Sequence, residues 1–435
     1  MIKTEGLHHE RDECDENGAL EGHERVSPTP SPLSSLSSLS SLSSDSPTPP
    51  VPTKRSSRSK KGSRFFRRKK RKTDKEERPP DDPPVHDFAT RKHIAGSIPN
   101  QKTATMSFEK EAVHASTSYV GLAPEIDDPS APRLEDLEDY EYVEWDGRTP
   151  LPICDEEGRI ILVMVGRPND SQWDRVIRDA VLELERLRPR CRFTKKQREN
   201  RRGPFCAINI GVSFGGGQGK PMVLRQNKAN TQVISRLTSH PSFKRMSGFC
   251  NSAFKTWGGR LHAYYKNHIR QLLAHDDELT LPFPNSVFAA AAFNFGPQTV
   301  CDIHTDYANL PFGWCGVWSM GNFDYTKGGH LVLPDLHMVI EFPAGSLALL
   351  ASGSCRHGNT RIQPHETRYS WTQFSAGQLF GYVDRGFQTE YSLQESIEGN
   401  DEELEREAQR KDERWHMGVG LFSNLSEFGE VEAVD

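Results

Sequence analysis

The chain has no apolar run near the ~20 residues that span a bilayer; stretches such as Val287 to Phe295 fall far short. Its opening, MIKTEGLHHERDEC, contains no apolar segment, so no secretion signal is read. These absences argue against a membrane or secreted protein. No CxxC pair occurs among the eight cysteines, at 14, 154, 191, 206, 250, 301, 315 and 355. The Cys/His spacings fit no structural zinc template. Scattered thiols in a chain without a leader read as reduced, intracellular and mostly core. Hydrophobic residues are scarce, at 35% against 26% charged, so part of the 435 residues is expected to stay outside any core. The length allows two or three domains, or one large domain with tails.

Charge is present in abundance and partitioned. Residues 159–386 carry 28 Lys+Arg against 16 Asp+Glu, a net of +12, while 387–435 carry 4 against 14, a net of −10. Just upstream, 125–146 holds ten acids and one Arg. A basic block this size favours a polyanion through phosphate neutralisation and counterion release. Acidic flanks folding back to screen an ordinary surface are the plainer alternative.

Residues 26–52 are Ser/Pro low-complexity sequence. The basic clusters Lys54–Lys61 and Arg67–Lys72 follow, reading as a bipartite nuclear-localisation signal over 54–75. The expected organisation is a disordered tail over 1–115, an acidic lead-in over 116–158, a catalytic domain over 159–390 and an acidic helical extension over 391–435. RIILVMVG at 159–166 and Cys206–Phe214 read as strands. Gln172–Leu187 has helical apolar spacing and is stopped by Pro189. Thr231–Leu237 and Ser242–His275 read as helices, with a break at Gly258–Gly259. Beyond Leu281 come many short β-rich runs punctuated by Gly, Pro, Asn and Asp, which suggest a sandwich or barrel.

The chemistry sits among those runs. In TVCDIHTDYANL, His304 and Asp306 are two apart, which on a strand places imidazole and carboxylate on one face. His357 follows 53 residues later, after SLALLAS. Two imidazoles and one carboxylate make a facial triad for Fe(II), leaving positions open for a bidentate 2-oxo acid and O2. His330 and His337 lie too soon after the HxD to leave room for intervening strands, and His365 sits in a turn just before Arg368. Arg368 and Ser370 form R-x-S on one strand face, a fork and a hydroxyl suited to the distal carboxylate of 2-oxoglutarate.

The segments NFGPQTVCDIHTDYANLPFGWC, KGGHLVLPDLHMVIEFPAGS, CRHGNT and ETRYSWTQFSAGQLFGYVDRGF resemble the fungal Tet/J-base-binding-protein class of 2-oxoglutarate- and Fe(II)-dependent dioxygenases. The resemblance covers about 205–390. It implies a double-stranded β-helix, or jelly roll, braced by N- and C-terminal helices. It implies oxidation of 5-methylcytosine in DNA to 5-hydroxymethyl-, 5-formyl- and 5-carboxylcytosine. It makes His304, Asp306 and His357 the iron ligands, and Arg368 with Ser370 the cosubstrate anchor. Asn294 matches an Asn that contacts 2-oxoglutarate in AlkB-like enzymes, and equally fits a turn before Gly296–Pro297.

A base in duplex DNA must be flipped to reach such a pocket. Tyr307 and Asn309 are expected at its rim, with Trp314, His330, Asp335 and Gln373 as further base-reading candidates; core packing or a turn explains each as well. Arg188–Arg202 (RPRCRFTKKQRENRR) has eight bases and one acid. Arg190, Arg192, Lys195 and Lys196 within it are the expected phosphate contacts, a solvated loop being the alternative. The Gly-rich FGGGQGKP (214–221) departs from a phosphate loop and reads as a flexible loop. The alternative substrate is N6-methyladenine, demethylated by the same chemistry, which the triad and R-x-S do not discriminate. A histone demethylase or protein hydroxylase suits the basic core less well, and a catalytically dead DNA-binding jelly roll fits poorly with an intact triad. The expected partners are methylated double-stranded DNA and the nuclear import machinery.

Overall fold

The computed structural model describes residues 88–428 apart from Pro124, Ile126, Asp127 and Pro129. The Ser/Pro run, the localisation signal at 54–75 and residues 429–435 lie outside the described residues. From residue 88 the chain is folded. Helix α1 (Phe88–Ala95) and the one-turn α2 (Phe108–Glu111) flank β1 (Lys102–Thr103). Ile94, Ala104, Met106, Phe108 and Ala112 are all buried. This corrects the expectation of disorder up to 115. The segment is polar on average, but its few apolar residues find distant partners. Phe108 stacks on Trp415 at 5.8 Å and meets Phe422 edge-on at 5.2 Å.

Strands β2 (Glu141–Val143), β3 (Leu151–Cys154) and β4 (Ile160–Gly166) precede α3 (Trp173–Leu187) and the one-turn α4 (Lys195–Arg198). The apolar positions of α3 are one buried stripe: Trp173, Val176, Ile177, Ala180, Leu184 and Leu187. Next come β5 (Ala207–Ser213), β6 (Met222–Val223), α5 (Lys228–Ser239), α6 (Pro241–Trp257) and α7 (Gly259–His275). The break between α6 and α7 falls at Gly258, where a Cβ would meet the Trp314 ring at 2.9 Å.

Seven strands then carry the site: β7 (Ala290–Asn294), β8 (Cys315–Asn322), β9 (Leu331–Leu333), β10 (Met338–Ile340), β11 (Leu347–Leu350), β12 (Gly358–Asn359) and β13 (Thr367–Phe374). Helices α8 (Gly377–Asp384), α9 (Glu390–Ile397) and α10 (Asp401–Val419) close the fold. One sheet has nine strands in the order β1-β3-β4-β11-β8-β13-β7-β5-β6, and the other has four, β12-β9-β10-β2. Both are antiparallel except where the lead-in joins them, β1 with β3 and β2 with β10. The acidic lead-in is therefore part of both sheets.

Strand alternation decides what faces what. On β13, Tyr369, Trp371 and Gln373 point one way, and Arg368, Ser370 and Thr372 the other. Trp371 packs edge-on against Phe243 of α6 at 5.4 Å and Phe283 at 5.1 Å. The helices thus cover one face of the larger sheet. The opposite face lines a cavity shared with the smaller sheet. At the C-terminus, Trp415, Val419, Leu421 and Phe422 are buried, so the end of α10 and the residues after it pack onto the core.

Candidate metal centre

His304 and Asp306 do not lie on a regular strand, contrary to expectation. They sit in an extended connection between β7 and β8, held by single bridges. His304 N–H donates to His357 O at 3.0 Å, and His357 N–H returns the bond to His304 O at 2.8 Å. Asp306 N–H donates to Ser352 O at 2.7 Å. This reciprocal pair sets the two imidazoles side by side, with ring centroids 4.3 Å apart. His304 Nε2 is 3.8 Å from Asp306 Oδ1, and His357 Nε2 is 3.9 Å from Oδ2. One ligand atom from each residue lies within 4.8 Å of the others, and the three are the metal-capable cluster among the described residues.

The backbone also fixes the tautomers. His304 Nδ1 is 2.7 Å from Asp302 O, and His357 Nδ1 is 3.0 Å from Cys355 O. A carbonyl only accepts, so both Nδ1 atoms donate, and both Nε2 lone pairs face the carboxylate. Burial, reinforced by the neighbouring His357, pushes His304 down to about 3. His357 is lowered too, chiefly by burial. Asp306 is drawn down to about 2: burial opposes this, but the flanking imidazoles and Arg202 and Arg201 outweigh it. Two neutral imidazoles and one carboxylate are the protonation states a divalent cation requires.

Arg368 lies 1% exposed on the same cavity wall. One terminal nitrogen donates to Thr299 O at 2.7 Å and Asn359 Oδ1 at 3.2 Å, while its buried Nε has no partner. Among the described residues no carboxylate pairs with it. Glycines admit the side chain: a Cβ on Gly329 would meet Arg368 Nε at 3.2 Å. Ser370 Oγ accepts from Asn294 Nδ2 at 2.7 Å, so Asn294 is at the site rather than in a surface turn. A buried guanidinium with an orphaned donor beside a hydroxyl fits a carboxylate-bearing cosubstrate. Arg202 also lines this cavity, its guanidinium 3.4 Å from Asn294 Oδ1. Arg201 reaches Thr305 O at 2.5 Å and Asp306 Oδ1 at 3.2 Å. The basic run marked both arginines only as charge; their aim depends on the loop before β5.

The base-reading candidates separate. Tyr307 lies beside the triad and is 39% exposed. Asn309 is buried and donates to Ser352 Oγ at 3.2 Å, bracing the loop behind Asp306. Trp314 is core, its Nε1 bonded to Ile161 O at 3.0 Å. His330 is fully buried, with Nδ1 2.7 Å from Thr360 Oγ1. Asp335 is occupied by Arg356, taking its backbone N–H and Nε at 2.6 Å each. That clamp secures the residue preceding His357. Gln373 faces α6, donating to Ser247 and Ser286 hydroxyls at 3.1 and 3.0 Å. Trp314, His330 and Gln373 are therefore not available to a base. Arg190, Arg192, Lys195 and Lys196 are exposed.

No protein-family model matches the chain, and no curated protein matches it. Among solved structures it is similar to NgTET1 in complex with 5mC DNA, with TM-score 0.39 and 12% identity over 67% of this chain and 91% of that one. It is similar to a 2OG-Fe(II) oxygenase-family oxidoreductase from Burkholderia pseudomallei, with TM-score 0.25 and 16% identity over 45% and 76%. OsALKBH1 gives TM-score 0.28 and 13% identity over 45% and 92%. These three TM-scores are all below 0.5, so the functional argument rests on the geometry of the site.

Proposed function

We propose that the protein is an Fe(II)- and 2-oxoglutarate-dependent dioxygenase that oxidises 5-methylcytosine in DNA, to the hydroxymethyl, formyl and carboxyl stages. One observation carries the reading: His304, Asp306 and His357 converge with both Nε2 atoms free, beside a buried guanidinium that lacks an anion. In this reading those three residues hold iron. Arg368 and Ser370 take the distal carboxylate of 2-oxoglutarate, and Asn294 orients Ser370. Iron with 2-oxoglutarate and O2 supplies the power to hydroxylate an unactivated C–H bond. The chain's own residues anchor the cosubstrate, keep both imidazoles neutral and exclude water. The open space between them is about 40 Å³, and Arg202 and Arg368 both line it.

The two sheets are read as a double-stranded β-helix, supported by the chain's repeated passage between them from β8 to β13. The DNA reading is supported by Arg190, Arg192, Lys195, Lys196 and Arg198. Among the described residues none of them makes an ion pair, and their segment ends at Arg201 and Arg202. The basic clusters at 54–75 support nuclear import. The test is nucleoside mass spectrometry after incubation with Fe(II), 2-oxoglutarate and duplexes carrying either 5-methylcytosine or N6-methyladenine. Oxidised cytosines are expected. Loss of N6-methyladenine alone would transfer the same chemistry to the other base, and no change in either would overturn a DNA substrate.

A further inference from the structure

A sulfur shares the metal cavity. Of the described cysteines, Cys301 alone lines the space bounded by His304, Asp306, His357, Arg202 and Arg368. The backbone fixes it there. Its N–H donates to Asn359 Oδ1 at 3.3 Å, the oxygen that also receives the Arg368 terminal nitrogen at 3.2 Å. Its carbonyl accepts from Asn359 N–H at 2.9 Å, and the next residue, Asp302, donates its N–H to Arg202 O at 2.8 Å. Gly358 admits this approach, since a Cβ there would sit 3.0 Å from Cys301 O. Arg202, Arg368, Asp306 and Asp302 are the charged neighbours of the thiol. Arg368 is 1% exposed and holds an unpartnered Nε on the same cavity wall, so the space around the sulfur is built to receive an anion.

We propose that Cys301 is a modification site, oxidised by the protein's own turnover when no substrate is bound. This rests on the Fe(II)/2-oxoglutarate reading and is independent of which base is oxidised. The step balances as thiol plus 2-oxoglutarate plus O2, giving sulfenic acid plus succinate plus CO2. The sulfur and the 2-oxo acid lose two electrons each and O2 gains four. One oxygen atom enters the S–OH, which keeps the thiol proton, and the other enters the new carboxylate of succinate. A polarisable sulfur accepts an oxygen atom more readily than the C–H bonds of its cavity neighbours Val317, Leu331 and Leu350 give up hydrogen. A filled site suppresses such side reactions. A second round gives the sulfinate, an anion beside Arg202 and Arg368 that competes with the cosubstrate's carboxylate. Idle turnover is therefore self-limiting.

The experiment incubates the full chain with Fe(II), 2-oxoglutarate, air, catalase and dimedone, without DNA, and maps adducts by tryptic mass spectrometry beside a succinate count. Dimedone traps sulfenic acid, and catalase removes free peroxide. Cys301 and Cys315 fall on one tryptic peptide, 271–327, so the deeply buried Cys315 is the internal control in its fragment ions. The adduct should appear at Cys301, rise with succinate, and be lost without 2-oxoglutarate and in His304→Ala/Asp306→Ala. With dimedone omitted, Cys301→Ala should go on making succinate after the wild type has stopped; the adduct map itself needs no Cys301 variant. An adduct that persists without 2-oxoglutarate or in the double variant overturns the inference. So does a wild type that makes succinate only with DNA, or makes it without DNA and leaves Cys301 unlabelled; both leave the chemistry standing. No succinate with or without DNA overturns the inference and the oxygenase reading together.

Discussion

Replacing Arg368 with Met separates binding from folding. Burial with no carboxylate beside it pulls the Arg368 guanidinium down from 12.5 to about 10. The charged form is thus disfavoured in the folded state by about 3 kcal/mol, at 1.36 kcal/mol per pH unit. Met removes that cost but strands Thr299 O, while Asn359 Oδ1 keeps the Cys301 N–H at 3.3 Å, a penalty of roughly 1–3 kcal/mol. The two nearly offset, so the free protein's stability should change by less than about 2 kcal/mol. Cosubstrate binding should not survive. Two charge-assisted hydrogen bonds of roughly 1.5–3 kcal/mol each set a loss of about 10²–10⁴ in 2-oxoglutarate affinity. Calorimetric titration of 2-oxoglutarate into Mn(II)-loaded protein measures one quantity, and urea unfolding the other. An affinity within twofold of wild type would refute the assignment of Arg368; a collapse in stability would refute the account of its burial.

Three further outcomes follow from the packing. Phe108→Ala empties a fully buried site between Trp415 and Phe422, and should cost roughly 3–5 kcal/mol by urea unfolding; an unaffected variant would return 88–115 to the tail. Gly377→Ala places a methyl 1.6 Å from Tyr119 O, forcing that segment off α8. Its expected cost is roughly 1–3 kcal/mol or more, with the Tyr119–Asp384 hydrogen bond weakened. Burial holds His262 at about 3 and His330 at about 4, so both stay neutral when folded. As pH falls below 6.5 the unfolded chain takes up protons the folded one refuses. Stability should therefore drop by about 1.4 kcal/mol per unit per group until those values are reached. His262→Asn should flatten that slope between pH 6.5 and 5.

The convergence of His304, Asp306 and His357 is legible from spacing because two short connections, each bridged to the other, bring them together. The mechanism inferred for it, a shared strand face, is not the one observed; paired backbone bonds between loops do the same work. Arg368 and Ser370 are legible by strand parity. The same parity turns Gln373 away from the cavity, a signal already present in the numbering. Asp335 and His330 are held by Arg356 and Thr360, which flank β12 some 21 and 30 positions downstream, so only the tertiary structure shows those partners. Ile94 and Phe108 are hidden for a similar reason: their burial depends on tertiary contacts, for Phe108 with residues some 300 positions downstream. Arg201 and Arg202 read as two more charges in a run, since only the loop before β5 aims them at the metal site.

The central claim is that one three-residue metal centre couples cosubstrate turnover to base oxidation. Succinate and oxidised cytosine should be counted together, in the wild type and in His304→Ala/Asp306→Ala, on the same 5-methylcytosine duplex. The account predicts one succinate for each oxidation step in the wild type, and neither product in the variant, which should still bind DNA by gel shift. Oxidised cytosine formed by the variant would contradict it.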